Sequence, residues 1–307
     1  MIRHAAFAII VSGLLCLACT AYTAEADSRT TATIEKIAEG FVSAEGPLWH
    51  PDGYLLFSDV HGKIIYKIGP GGKAEVWFSK GLGTNGLALN PANGRLIACC
   101  YSEKCLLEIN PQTGEHRVLA SSFEGRPFNN VNDIAWDAEG NFFFTDPSWG
   151  SGPDIVQGIY RYSTGGLLSL AARMDRQPNG IAVSPDGAHL YVARSGAGEI
   201  WRFPLDSSGA PGEGELWTAL EKGAEPDGIA FDQKGNLYVA QAGNGKICVI
   251  SPEKQILHLL QVAPRFLTNV EVLPGIPVVV YATYGGKKGE NNAAIYRVTF
   301  REVSASR

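Results

Sequence analysis

Six oxygen-bearing residues recur at one place in a repeated phrase: Glu45, Asn85, Asn132, Asn179, Asp227 and Asn269. Each opens a short apolar run, as in Glu45-Gly46-Pro47-Leu48-Trp49 or Asp227-Gly228-Ile229-Ala230-Phe231. A single Asn or Asp at such a place usually does no more than cap a turn. Six in one register form a different object if they converge, because they pool two carboxylates and four amide oxygens, with no His or Cys. That hard, all-oxygen set suits Ca²⁺ or Mg²⁺ and is poor for zinc or copper. Glu45 and Asp227 together neutralise a divalent ion, and positions left open in its coordination shell admit water and substrate. Such an ion polarises a carbonyl or phosphoryl oxygen and lowers the pKa of bound water.

The repeat itself must bring the six together. Successive lead residues lie 40, 47, 47, 48 and 42 positions apart, a period that marks one four-stranded unit repeated around an axis. The fourth unit shows the pattern best. Ile181-Ala182-Val183, a Pro185-Asp186-Gly187 turn and Leu190-Tyr191-Val192-Ala193 are followed by runs at Ile200-Trp201-Arg202-Phe203 and Glu215-Leu216-Trp217-Thr218. No segment keeps a helical period, so the chain reads as all-β. The sixth unit lacks its fourth strand, while the run from Thr31 to Ile37 stands unassigned ahead of the first unit. The expected fold is therefore a six-bladed β-propeller of four antiparallel strands per blade, with the N-terminal strand completing the last blade and closing the ring. In that fold the first strand of each blade lines the central channel, and the lead residues stand at one of its mouths.

At 307 residues, 45% hydrophobic and 19% charged, the chain is too apolar for disorder. Length alone allows two domains, but each repeat needs its neighbours, so residues 27–307 are expected to form one domain. Residues 1–26 read as an export signal: Arg3 and His4, an apolar run from Ala5 to Leu17, then Ala24-Glu25-Ala26 as the cleavage pattern. The run is too short to span a bilayer, so no membrane span is expected. A periplasmic or extracellular location follows, with lipid anchoring at Cys19 as the rival reading. The net charge of −5 and the lack of a basic tract argue against nucleic acid. Cys16 and Cys19 fall in the signal, which leaves Cys99, Cys100, Cys105 and Cys248. Cys100 and Cys105 are placed to pair across a hairpin, or to remain buried thiols. Nothing in the sequence indicates an oligomeric state.

Four motifs in order carry a family resemblance: Ala44-Glu45-Gly46-Pro47-Leu48-Trp49, Asn132-Asp133-Ile134 leading to Phe144-Thr145-Asp146-Pro147, Pro178-Asn179-Gly180-Ile181, and Pro226-Asp227-Gly228 with Gly235-Asn236-Leu237-Tyr238. Together they resemble the gluconolactonase, regucalcin and luciferin-regenerating-enzyme family over essentially the whole chain after the signal. The resemblance implies a six-bladed propeller with a divalent metal on its axis and, in many members, lactone hydrolysis. It implies Glu45, Asn179 and Asp227 as metal ligands, with Asn132 a direct or water-mediated fourth and Asp133 supporting them from behind. Asp227 is also the implied general base. Ca²⁺ is expected foremost, then Mg²⁺, Mn²⁺ or Zn²⁺. Two departures, Cys100-Tyr101 for a Glu-His pair and Val270-Glu271-Val272 after Thr268-Asn269, are expected near the pocket rim, where they bear on the substrate.

The expected chemistry is metal-assisted opening of a small lactone, the ion polarising the carbonyl while Asp227 or a water on the ion supplies the nucleophile. No Gly-x-Ser-x-Gly is present, and Ser195 reads as a turn residue. Asn129 aligns with a family Asn and is expected to donate to a substrate hydroxyl. Arg126 and Tyr101 are further candidates for substrate binding, while Trp149 and Tyr284 beside them suit inter-blade packing at least as well. Two rivals share the axial pattern: a phosphotriesterase resembling diisopropylfluorophosphatase, and a non-enzymatic propeller plugged by a structural ion.

Overall fold

Short runs of β-branched and aromatic residues, punctuated by turns such as Pro51-Asp52-Gly53 and Pro185-Asp186-Gly187, fold as antiparallel strands. The turn glycines Gly53 and Gly187 take φ of +81° and +71°, the left-handed region that tight hairpins demand. The structure is a computed structural model that describes residues 30–150, 152 and 155–302. The export signal expected over 1–26, with Cys16 and Cys19, lies outside the described residues.

Six four-stranded antiparallel sheets follow one another along the chain, joined by one small ribbon, Ser122–Phe123 with Arg126–Pro127. Their first strands are Ala44–His50, Thr84–Leu89, Ile134–Trp136, Pro178–Val183, Pro226–Phe231 and Leu267–Leu273. These adjoin one another in cyclic order, the sixth against the first, and so line the axis of a six-bladed propeller. The last blade is completed as expected: Thr30–Phe41 pairs antiparallel with Ala293–Glu302 as its outermost strand. Among the described residues no helix is long and apolar enough to cross a membrane.

Second strands are sandwiched between neighbouring blades, and three of them, Leu96–Cys100, Phe142–Asp146 and Leu237–Gln241, are buried throughout. Outer strands such as His116–Ala120 and Ile256–Gln261 face solvent on one side. The core accordingly divides into six clusters, one per blade interface; Leu56 and Ile65 of blade 1 meet Leu96 and Leu107 of blade 2, and Phe41 and Ile295 of blade 6 meet Phe57 of blade 1. No blade could bury both of its faces alone. Cys99, Cys100, Cys105 and Cys248 are buried and free, with Cys100 directly opposite Cys105 in the second blade.

Candidate metal centre

In five of the six blades, blade 3 excepted, the lead residue sits where its strand breaks register. Pairing with the second strand slips between Glu45 and Leu48, Thr84 and Leu87, Pro178 and Ile181, and Pro226 and Ile229. Such bulges re-aim side chains and cluster beside active sites. The glycine after the lead residue lets adjacent blades close to backbone contact. A Cβ on Gly46 would lie 2.1 Å from the Asn85 carbonyl oxygen, and one on Gly180 would lie 2.2 Å from that of Asp227. In blade 3 this place is held by Asp133, whose carboxylate accepts the Ile134 N–H at 3.0 Å and reaches the Ile181 N–H of blade 4 at 3.4 Å. Hydroxyls rivet the ring: Ser58 donates to the Asn85 carbonyl at 2.7 Å, Thr145 to the Asn179 carbonyl at 2.7 Å and Thr268 to the Ala44 carbonyl at 2.9 Å.

Three carboxylates, those of Glu45, Asp133 and Asp227, thereby come within electrostatic reach of one another near the axis. Glu45 is 8% exposed; burial and then repulsion by Asp133 push its pKa up to about 8, against the opposing pull of hydrogen bonds from the Gly46 N–H and the Asn269 amide. Asp133 is pushed to about 7 by burial, partly offset by the Ile134 and Ile181 N–H groups and by Asn269. Burial, then Glu45 and Asp133, hold Asp227 well above the usual carboxylate range, although the Asn179 amide donates to it. Among the described residues no basic side chain figures in the main influences on any of the three. Buried charges of one sign with no counter-charge are costly, and the protein itself supplies only hydrogen bonds to offset them.

The amide oxygens complete the pattern. Asn179 is 3% exposed and its amide nitrogen donates to Ser195 Oγ at 3.2 Å as well as to Asp227, which leaves its buried carbonyl oxygen without a partner. The side-chain oxygen of Asn85, Oδ1, is orphaned in the same way. Each unmet buried acceptor costs about 1–3 kcal/mol. Oxygens orphaned beside uncompensated carboxylates fit a hard divalent cation, which would satisfy both. Asn132, also buried, is fixed by its backbone: its N–H donates to Thr145 at 2.9 Å and its carbonyl accepts the Gly86 N–H at 2.8 Å. Among the described residues no three His, Cys, Asp or Glu side chains gather as an acidic metal cluster. The donor set is mixed carboxylate and amide, as the lead residues require.

Asn179, Ser195 and the half-buried Asp227 line a cavity of about 660 Å³ at this mouth, walled by Trp149, Gln177 and Phe266. Ser195, which the sequence marks only as a turn residue, begins a short 3₁₀ turn and donates its hydroxyl to the Pro226 carbonyl while accepting the Asn179 amide. It fixes which end of that amide faces the axis. Tyr101 stands half-buried at the same mouth. Its hydroxyl accepts the Trp149 indole N–H, and burial, then Glu45 and Asp227, raise its pKa.

Other expected substrate contacts are placed differently. Both amide hydrogens of Asn129 are spent, on Asp146 at 2.9 Å and the Val156 carbonyl at 2.7 Å, so it braces a loop and has no donor left for a hydroxyl. Arg126 is exposed on the small ribbon, near the Tyr160 hydroxyl and outside the cavity wall. Glu271, expected near the rim, lines a separate cavity of about 400 Å³ with Asp133 and Asn269 on the other side of the lead residues. There it accepts the Trp49 N–H at 3.2 Å.

Comparison with known proteins agrees with this geometry. The family described as SMP-30/Gluconolactonase/LRE-like region matches residues 43–275. A gluconolactonase of Zymomonas mobilis is 29% identical over 262 residues, covering 75% of this chain and 73% of its own. The diisopropyl-fluorophosphatase of Loligo vulgaris is 26% identical over 248 residues, covering 71% and 78%. In fold, a gluconolactonase from Xanthomonas campestris superposes with a TM-score of 0.76 at 23% identity, covering 88% of this chain and 90% of that one.

Proposed function

Because the chain belongs to the SMP-30/gluconolactonase/LRE-like family, we propose that it is a divalent-metal-dependent hydrolase that opens a small lactone. One observation carries the metal: the orphaned Asn179 side-chain oxygen lies beside carboxylates with no basic side chain of the described residues among their main influences, at the floor of an open cavity. Glu45, Asn132, Asn179 and Asp227 would hold the ion, with Asn85 Oδ1 as a further oxygen. When bound, the ion supplies positive charge to the carbonyl oxygen of the substrate, where negative charge develops.

The chain's own residues do the rest. Asp227 is half-buried and lines the cavity, whereas Glu45 and Asp133 are 8% exposed, so Asp227 is the carboxylate a substrate-side water reaches. It takes the proton as water adds to the carbonyl carbon, then returns it to the ring oxygen as the carbon–oxygen bond breaks, releasing a hydroxy acid. Asn179 fixes the Asp227 carboxylate by its amide hydrogen bond, and Ser195 fixes Asn179. The Loligo relative favours a second reading, since the same floor would serve a phosphotriester. The export signal read in residues 1–26 adds a location outside the cytoplasm to the proposal, which cell fractionation tests.

The deciding experiment is hydrolysis of a lactone panel and one organophosphate by chelated protein resupplied with Ca²⁺, Mg²⁺, Mn²⁺ or Zn²⁺. Lactone turnover should vanish with chelator and return with a hard ion. Asp227→Asn should lose at least about a hundredfold in kcat, within the range for removal of a general base. Turnover indifferent to chelation, or an organophosphate rate far above every lactone, overturns the proposal.

A further inference from the structure

Three connectors that enter adjacent blades share an uncommon backbone. Gln177, Glu225 and Phe266, each just ahead of the inner strand of blade 4, 5 or 6, have φ of +54°, +48° and +54°. All three line the cavity above Asn179 and Asp227. Left-handed backbone is uncommon outside glycine and an outlier for a bulky residue such as Phe. Glycine would relieve it at each position. Strain of this kind persists where the surroundings over-determine it, and it collects at ligand clamps. At Phe266 those surroundings are two backbone hydrogen bonds, its N–H to the Ala242 carbonyl at 2.6 Å and its carbonyl from the Gly285 N–H at 2.9 Å.

Above Asn179 and Asp227 the polar groups that line this cavity are largely committed. Ser195 is engaged both as donor and as acceptor, the Gln177 amide points to the Ser148 carbonyl at 3.5 Å, and Glu225 faces Arg265 at 4.0 Å. The large apolar surfaces are not. Trp149 is 51% exposed and Phe266 41% exposed, both on the cavity wall, and the Arg265 guanidinium stacks on the Phe266 ring at 5.0 Å. Away from Asn179 and Asp227 a polyhydroxylated lactone would surrender water here for few partners, whereas a flat apolar substituent would lie against the exposed parts of Trp149 and Phe266. We infer that the Trp149–Phe266 wall selects lactones bearing a flat apolar group over polyhydroxylated sugar lactones. This rests on the lactone reading above, and the test separates the two.

Binding is measured first, with unreactive cyclic amides on the full Ca²⁺-loaded protein. γ-Phenyl-γ-butyrolactam should bind at least about tenfold tighter than 2-pyrrolidinone, the gain expected for burying one phenyl group. Phe266→Gly, which relieves the backbone, should bring that ratio to threefold or less without lowering the melting temperature. Trp149→Ala, at an exposed position, should reduce the same ratio and serves as the second variant. In turnover, γ-phenyl-γ-butyrolactone should exceed glucono-1,5-lactone in kcat/KM by at least about tenfold on the same grounds. Equal binding of the two lactams, an unchanged ratio in both variants, or faster opening of glucono-1,5-lactone overturns the inference. A phenyl preference that depends on Phe266 while no lactone is hydrolysed supports the wall and sinks the hydrolytic reading instead.

Discussion

Ser195→Ala tests the proposed metal site at the hydrogen bond that leaves the Asn179 side-chain oxygen without a partner. The wild-type hydroxyl accepts one Asn179 amide hydrogen and donates to the Pro226 carbonyl, while Asp227 accepts from the same amide. Alanine leaves one buried donor and one buried carbonyl unpaired. At about 1–3 kcal/mol per orphan, discounted because Asp227 still holds the amide, the cost is about 2 kcal/mol. In a domain of this size the melting temperature of the chelated protein should fall by about 3–4 °C. With one anchor gone the amide can rotate, so Ca²⁺ affinity should fall about tenfold, the lower end for loss of a group that orients a ligand. At saturating Ca²⁺ a tenfold weaker Kd removes a further 1.4 kcal/mol or so of stabilisation. Calorimetric titration with Ca²⁺ and thermal unfolding with and without chelator measure both effects, and Ser195→Thr, which keeps a hydroxyl, should recover most of each. A Ser195→Ala protein that binds Ca²⁺ within twofold of wild type and melts within a degree of it would refute the assignment.

The axial carboxylates give a pH signature of known sign. Glu45 and Asp133 titrate near 8 and 7 in the folded metal-free protein and near 4 when unfolded, so folding takes up protons between about pH 5 and 7. Chelated protein should therefore lose stability as pH rises through that window, by about 1.4 kcal/mol per pH unit for each group still protonated. The rise in melting temperature on adding Ca²⁺, which displaces those protons, should grow from pH 5 to 8; a rise independent of pH would exclude these carboxylates as the site. Gly180→Ala would bring a Cβ to 2.2 Å from the Asp227 carbonyl oxygen and 2.6 Å from the Gly228 Cα. No rotamer relieves a clash with backbone, so soluble yield or melting temperature should collapse, and a variant that melts within about 5 °C of wild type would show that the blades have room to part.

The ring and its lead residues were legible in the sequence because both depend on period alone. Strand closure followed from counting: a sixth blade one strand short and one spare strand ahead of the first. Glu45, Asn179 and Asp227 shared an offset from their turns, and a bulge at that offset in each of their blades brings them to one level. Glu271 misled because it is two residues beyond Asn269, and a strand rises about 3.3 Å per residue. That is enough to carry it past the axial ring into the other cavity. Asn129 lies outside the repeated phrase. Its side chain is held by Asp146 and Val156, 17 and 27 residues away, whose approach no local pattern encodes. The left-handed backbone at Gln177, Glu225 and Phe266 is likewise imposed by neighbouring strands against the preference of those residue types. Period therefore sets the lead residues on the axis, while the mouth above them is built from connectors outside the repeated phrase. Substitutions at the connectors can therefore change which substrate reaches the axis without disturbing an oxygen on it.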